Sequence, residues 1–339
     1  MRLHTEQLNT HLARELRPLY VVFGDEPLLA LEATDRIRAQ ALQSGYSERE
    51  VLSVDTGFKW SQLSMSAQSQ SLFASQKLLE LRLPSGKPGT EGAAALVSYC
   101  ESLPSQTLTL VHLPALDWRA QKSAWFEALE KKGVCVEALP VTRKALPAWI
   151  EGRLKAQSQH APPEVLHFMT EQVEGNLLAA FQEIHKLALL FPAGPINLEE
   201  ARACVLDVAR FDVFSLGIAL VEGDPVRLTR MLEGLKAEGT APPMVLWALS
   251  EEIRTIARLL VAAASGRPLS SLWRETRVWG VAHQDALKNN ISRFRAPQVS
   301  AGLRHAAAID QLIKGLAKGD LWDELQQLAL GFARLRGLH

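Results

Sequence analysis

The sequence predicts an α/β domain followed by all-α domains. Two observations carry this. Short apolar segments rich in Val and Leu alternate with helix-like segments over roughly the first 140 residues, and no convincing strand follows Pro140. A chain of 339 residues that is 47% hydrophobic is also too long for one ordinary domain and apolar enough for separate cores.

The strand candidates are Leu19–Phe23, Val51–Val54, Leu78–Leu83, Leu108–Leu113 and Val134–Glu137. Between the first two, a helix is expected from about Glu26 to Leu42. Asp25 is its expected N-cap and Pro27 lies in its first turn. Leu29, Ala33, Ile37 and Ala41 line one face at four-residue spacing. Further helices are expected over about Lys59–Ser69 and Arg119–Lys132. Strand–helix alternation of this length reads as a parallel sheet wrapped by helices.

Beyond Pro140 the candidates are helical: Ala145–Gln157, Pro163–Val173, Asn176–Leu190 and Leu198–Leu206. Pro162-Pro163 and Phe191–Pro195 interrupt them. Longer helices follow. One starts at Asp224-Pro225, a second carries Leu246, Leu249, Ile253, Ile256 and Leu260, and two fill Pro297–Leu316 and Asp320–Leu335. The expected domains are a sheet domain over 1–141, a small helical domain over 142–208 and a helical bundle over 209–339.

Net charge is +0, so the whole molecule is not an obvious polyanion binder. Cys100, Cys135 and Cys204 are sparse and odd in number, which argues against a disulfide framework, and no Cys/His spacing suggests zinc. The first residues lack the apolar core of a signal peptide, and no apolar run approaches a membrane span. A cytoplasmic location is the expectation.

The first strand runs into Gly24-Asp25-Glu26-Pro27, where strand–glycine–helix proteins hold phosphates. A working phosphate loop needs a glycine-rich turn, a lysine and a Ser/Thr for magnesium. None follows Gly24. Two carboxylates stand where a polyanion would lie, and Pro27 removes a backbone donor. No nucleotide is expected to bind here. His112, at the end of the fourth strand, has no carboxylate or hydroxyl partner nearby in sequence and is read as structural. No Ser/His/Asp or paired-carboxylate site is evident, so no catalysis is expected.

Four stretches carry a resemblance along essentially the whole chain: Leu19–Leu29, Gln68–Ser75, Glu174–Ala179 and Arg277-Val278-Trp279. In these the chain resembles the delta subunits of bacterial DNA polymerase III. The resemblance implies an AAA+-like sheet domain with a degenerate nucleotide site, a helical lid and a C-terminal collar. It implies no cofactor and a non-catalytic role in a nucleotidyltransferase holoenzyme. The implied partners are the beta sliding clamp, the gamma/tau motor subunits, delta-prime, and primed DNA in the assembled loader. Two other roles compete: a delta-prime-like scaffold, and an active AAA+ ATPase, against which the missing GK[ST] after Gly24 counts.

Gln68, Ser71, Leu72 and Phe73 match the family's clamp-binding motif, a glutamine, a short spacer and a Leu-Phe pair. The motif lies between a helix candidate and a strand candidate, where connections run over the surface. An exposed apolar pair there marks an interface; the alternative is that Leu72 and Phe73 simply pack as core.

Between Ile253 and His305 there are nine basic residues against two acidic ones, a local charge of +7, with Trp273, Trp279 and Phe294 interleaved. Arg274, Arg277, Trp279 and Arg293 are candidate DNA contacts. A solvated helix surface with the aromatics in the core is the equal alternative. Subunit assembly is expected through apolar stripes such as Leu246, Leu249 and Ile253.

Overall fold

The computed structural model describes residues 1–69, 76–206, 209, 211–273, 275–276, 278 and 281–334, with only the backbone of residue 281. The chain divides into two compact units, Met1–Val141 and Thr142–His339.

In the first unit the elements are β1 (Arg2–His4), α1 (Leu8–Leu12), β2 (Leu19–Gly24), α2 (Pro27–Gln43), β3 (Glu48–Ser53), α3 (Ser61–Gln68), β4 (Lys77–Arg82), α4 (Gly89–Glu101), β5 (Thr107–Leu113), α5 (Trp118–Gln121), α6 (Ala124–Lys132) and β6 (Val134–Ala138). The strands form one six-stranded sheet in the order β1-β6-β2-β5-β4-β3. Every pairing in it is parallel. Strand alternation separates two cores. Tyr20, Val22, Leu78, Leu108, Leu110, Val134 and Val136 pack with Ala33, Ile37 and Ala41 of α2. Leu19, Val21, Phe23, Leu79, Leu81 and Val111 pack on the other face with Leu63 of α3, Leu96 of α4 and Phe126 of α6. The expected α2 stripe of Leu29, Ala33, Ile37 and Ala41 is buried.

Three local readings change. The edge strand β3 starts three residues before the expected Val51, at Glu48. Charged Glu48, Arg49 and Glu50 hide it from a hydrophobicity reading. Arg119–Lys132 is two helices, because Asp117 Oδ1 caps α5 at Ala120 N (2.7 Å) and a new helix starts after Ser123. The N-terminal strand β1 and helices α1 and α4 were not expected. β1 has only three residues and earns no periodicity, yet it pairs with β6, and the Met1 ammonium donates to Glu130 O and Gly133 O.

The second unit contains α7 (Leu146–Ala156), β7 (Gln159–His160), α8 (Pro163–Val173), α9 (Leu177–Leu190), β8 (Gly194–Pro195), α10 (Leu198–Cys204), α11 (Ser215–Glu222), α12 (Pro225–Ala237), α13 (Pro242–Ala264), α14 (Val281–Asn290), α15 (Ala296–Ile313) and α16 (Leu321–Ala333). The two-residue strands β7 and β8 pair in parallel, contrary to the strand-free expectation. The Gln159 side chain holds that corner by donating to the carbonyls of Leu187, Phe191 and Pro192. One continuous core, running from Val213 to Ala333, joins α11 to α16.

Candidate functional site

The loop after β2 is built around Gly24. Its φ is +144°, and a Cβ there would lie 2.0 Å from Ala138 O. Gly24 pairs with Ala138 in the sheet register, and Glu26 N donates to Ala138 O at 3.2 Å. The glycine therefore lets β2 approach the β6 backbone, and that contact accounts for it without a phosphate. The N-cap is Glu26 and not the expected Asp25: its Oε1 accepts from Leu28 N at 3.3 Å, with Pro27 as the first helical residue. The longer side chain reaches back over proline to the first amide that can donate. A free helix N-terminus is an anion site, but here the chain's own carboxylate occupies it. Burial pushes the Glu26 carboxyl above its ordinary value despite the Leu28 donor, and Asp25 adds to the rise.

At the same sheet, Glu80 on β4 is fully buried. Arg38 of α2 holds it bidentately (2.6 and 2.7 Å) and Arg49 of β3 does likewise (2.6 and 3.1 Å). Burial alone would raise its carboxyl, but these guanidinium bonds outweigh that and hold it at about 2. His112 Nε2 lies 3.9 Å from Glu80, and Nδ1 is 3.5 Å from Thr34 Oγ1. The partners invisible in sequence are thus supplied by β4 and α2. Burial, aided by the arginines, drives His112 down to about 4 against the pull of Glu80. His112 Nε2 has no hydrogen-bond partner among the described residues. A neutral, enclosed imidazole beside a carboxylate locked between arginines is poorly suited to proton transfer.

The motif around Leu72 begins on α3. Leu63 and Ala67 of that helix are buried against the sheet, while Gln68, at its C-terminus, is exposed. Met65, on the open side, is 70% exposed. Ser71, Leu72 and Phe73 lie outside the described residues.

In the second unit, Arg274, Arg277 and Trp279 also lie outside the described residues. Arg293 is described and is engaged in structure: its guanidinium donates to Val221 O (2.7 Å) and Ala333 O (2.8 Å), carbonyls near the ends of α11 and α16. Phe294 is fully buried and Trp273 packs against the core, so these two aromatics follow the structural alternative. Much of the basic excess is answered locally. Glu251, just outside the counted window, pairs with Arg254 and Arg258, and Arg267 pairs with Glu275. The expected assembly stripe is also corrected: Leu249 and Ile253 are fully buried and Leu246 nearly so, because that face of α13 packs on its own bundle. The large apolar side chains that α13 exposes are Met244, Trp247 and Val261, with Phe214 against Trp247 at 5.8 Å.

Sequence reasoning also missed a charged network. Arg227 of α12 is nearly buried and donates to Glu174 Oε1 (3.1 and 2.6 Å) and Glu222 (2.6 Å). Arg143 reaches Glu174 (3.5 Å) and Asp224 (3.2 Å). The only hint was Glu174 within a family-like stretch.

Cys100 and Cys135 are buried and Cys204 half-buried. Burial pushes the Cys100 thiol to about 11 and Cys135 to about 12, which leaves both unreactive. Among the described residues no group of three or more His, Cys, Asp or Glu could hold a metal ion, and no helix is long and apolar enough to cross a membrane.

A family model described as DNA polymerase III, delta subunit, matches residues 20–139. The DNA polymerase III subunit delta of Escherichia coli (strain K12) is 29% identical over 330 residues, covering 97% of this chain and 96% of that protein. The subunit delta of Haemophilus influenzae is 28% identical over 342 residues, covering 97% and 98%. The solved structure of the Bacillus subtilis DNA clamp loader delta protein aligns with a TM-score of 0.56 at 20% identity, covering 97% of this chain and 99% of that one. That last likeness is one of fold: a parallel sheet followed by helices.

Proposed function

We propose, from the family-model match over residues 20–139 and the similarity to the subunit delta relatives, that the chain is a DNA polymerase III delta subunit that binds the beta sliding clamp and opens it, without binding ATP. The residues that dock are Leu72 and Phe73, with Gln68 and Ser71 as polar contacts. The observation that carries the reading is the setting of the motif. The buried face of α3 is fixed to the sheet, and the helix ends at an exposed Gln68, four residues before Leu72 in sequence.

Magnitudes bound the claim. Burying a Leu and a Phe is worth about 1.5–3 kcal/mol each. Together they give only roughly millimolar to tens-of-micromolar affinity. A wider contact is therefore needed, and exposed Met65 on the same helix is placed to contribute. Opening further requires that the open ring be bound better than the closed one, since a ligand shifts an equilibrium only by its differential affinity.

The carboxylate-capped loop at Gly24–Pro27 supports the absence of nucleotide binding. In this reading 142–208 is the lid and 209–339 the collar. The collar joins the motor and delta-prime subunits in a cytoplasmic assembly and comes near primed DNA. With Arg293 engaged internally, Arg274, Arg277 and Trp279 remain the DNA candidates. A salt titration of DNA binding by the assembled loader checks them: phosphate contacts give a steep salt dependence, and a flat one removes them.

The decisive variant is Leu72→Ala with Phe73→Ala. A folded double variant no longer retains the clamp in a pull-down; retention at the native level rejects the proposal. Calorimetric titration with ATP gives no heat if the nucleotide reading is right.

A further inference from the structure

The sheet face that α2 covers holds one arginine more than its buried carboxylate can accept. Strand alternation puts Arg49 and Val51 of β3 on that face with Leu78, Glu80 and Arg82 of β4, and the register sets Val51 beside Glu80. Arg38 and Arg49 each give Glu80 two hydrogen bonds. An ionised carboxylate offers about four acceptor sites, so these two guanidinium groups saturate it. Arg82 Nη2 stands 3.6 Å from Glu80 Oε2, beyond a hydrogen bond. Among the described residues the Arg82 guanidinium has no other ionic partner. Its side chain is 47% exposed and that of Arg49 45%.

Glu80 thus orients two cations without using all their donors. Arg49 bonds it through Nε and Nη2, leaving Nη1 without a hydrogen bond among the described residues. Arg49 Nη2 and Arg82 Nη2 converge on the same oxygen, Glu80 Oε2. Two like charges held that close repel one another, and an incoming anion would relieve them. The other carboxylate of the cluster, Asp35, is engaged with Arg38 at 2.8 Å. Strand β3 is the edge of the sheet, so no further strand flanks Arg49. Exposed apolar side chains accompany the arginines. Val51 lies two residues from Arg49 on the same strand face, and Leu31 and Leu42 share the helix face of Arg38 at seven and four residues' distance.

We propose that Arg49 and Arg82 form a docking site for an acidic segment of a protein partner, whose Asp or Glu carboxylate bridges the two guanidinium groups while an apolar neighbour covers Val51. The planar guanidinium matches a carboxylate through paired hydrogen bonds, and arginine beside exposed apolar side chains is the composition of protein interfaces. Nucleic acid fits less well. Following a phosphate backbone takes a run of cations, whereas Glu80 and Asp35 here offset two of three arginines. Glu80 touches no partner; it is the positioning residue. The partner is a fellow subunit, motor or delta-prime, and in that respect the inference rests on the loader reading above.

The test titrates the labelled full-length chain with purified motor and delta-prime subunits and reads equilibrium binding by fluorescence anisotropy. Arg82→Gln leaves the four bonds to Glu80 in place and melts like the native protein, yet binds about tenfold more weakly and with a shallower salt dependence. Arg82→Glu reverses the charge and weakens binding by about a hundredfold. Arg82→Lys, which keeps the charge, recovers part of the loss. A purely structural role would lower the melting temperature and leave the affinity of the folded fraction unchanged. Native affinity in folded Arg82→Gln and Arg82→Glu overturns the proposal; should Arg82→Glu not fold, Arg82→Gln decides. Unchanged assembly together with weakened binding of a single-stranded oligonucleotide would give the site to nucleic acid and overturn it equally. If the native chain does not join these subunits at all, the loader reading fails and takes the proposal with it.

Discussion

Helices α2 and α12 begin with the same device. In each a carboxylate N-cap precedes proline, Glu26-Pro27 and Asp224-Pro225, and the cap backbones nearly coincide at φ −98°, ψ 99° and φ −98°, ψ 97°. Their surroundings differ. Glu26 has one backbone donor and a like charge beside it, so burial dominates and its carboxyl is raised. Burial acts on Asp224 too, but the Arg227 N–H and the Arg143 guanidinium outweigh it, and its carboxyl is lowered. The preceding glycines differ as well. A Cβ on Gly24 meets backbone, Ala138 O at 2.0 Å, whereas on Gly223 it meets the Arg293 guanidinium at 1.9 Å. One local sequence pattern thus serves two purposes. In the sheet unit it caps the start of α2 with the chain's own carboxylate; in the helical unit it anchors a network reaching from Arg143 to Arg227.

Ways to break this contrast differ in size. Arg227→Met leaves Glu174 with Arg143 as its cationic partner among the described residues and lowers the stability of the second unit by about 3 kcal/mol, read from urea unfolding. Gly24→Ala forces a side chain against immovable backbone at positive φ and costs about 2–3 kcal/mol. Gly223→Ala costs less, about 1 kcal/mol, if the long arginine yields. Asp224→Ala removes a cap and a network member, about 2 kcal/mol, while Glu26→Ala removes a weaker cap, about 0.5–1 kcal/mol.

The smallest effect sharpens the comparison most, because its sign reverses. The lowered Asp224 contributes stability that is complete above its unfolded value, about 3.9, and is lost as pH falls through its folded value. The raised Glu26 does the opposite: its contribution is complete below about 4.3 and is lost as pH rises through its folded value. Hence Asp224→Asn costs more at pH 7 than in acid, and Glu26→Gln costs more in acid than at pH 7. Urea midpoints across the acid range check both, and parallel trends would erase the distinction.

What the sequence revealed follows from what periodicity can report. Long apolar strands and one-sided helices such as α2 were legible from their spacing. Strands β1, β7 and β8 were too short for a period, and β3 opens with three charges. Sequence alone puts the cap one residue early, at Asp25, because Asp25 and Glu26 are both competent and only the chain path after Gly24 decides between them. The apolar stripe of α13 was visible, but its partner was not, since a stripe that packs on its own bundle looks like one that packs on a neighbour. Glu80, His112 and the Arg227 network depend on partners as far as 81 residues apart. The Leu-Phe pair was legible through family resemblance alone.

The central claim is ring opening without nucleotide. It is tested most directly by a beta clamp carrying a donor and an acceptor fluorophore across one subunit interface, mixed with this chain in the absence of ATP. Energy transfer falls on adding the native protein and stays at the closed-ring value with the folded Leu72→Ala/Phe73→Ala protein. Undiminished transfer in a ring demonstrably occupied by the native chain would contradict the account.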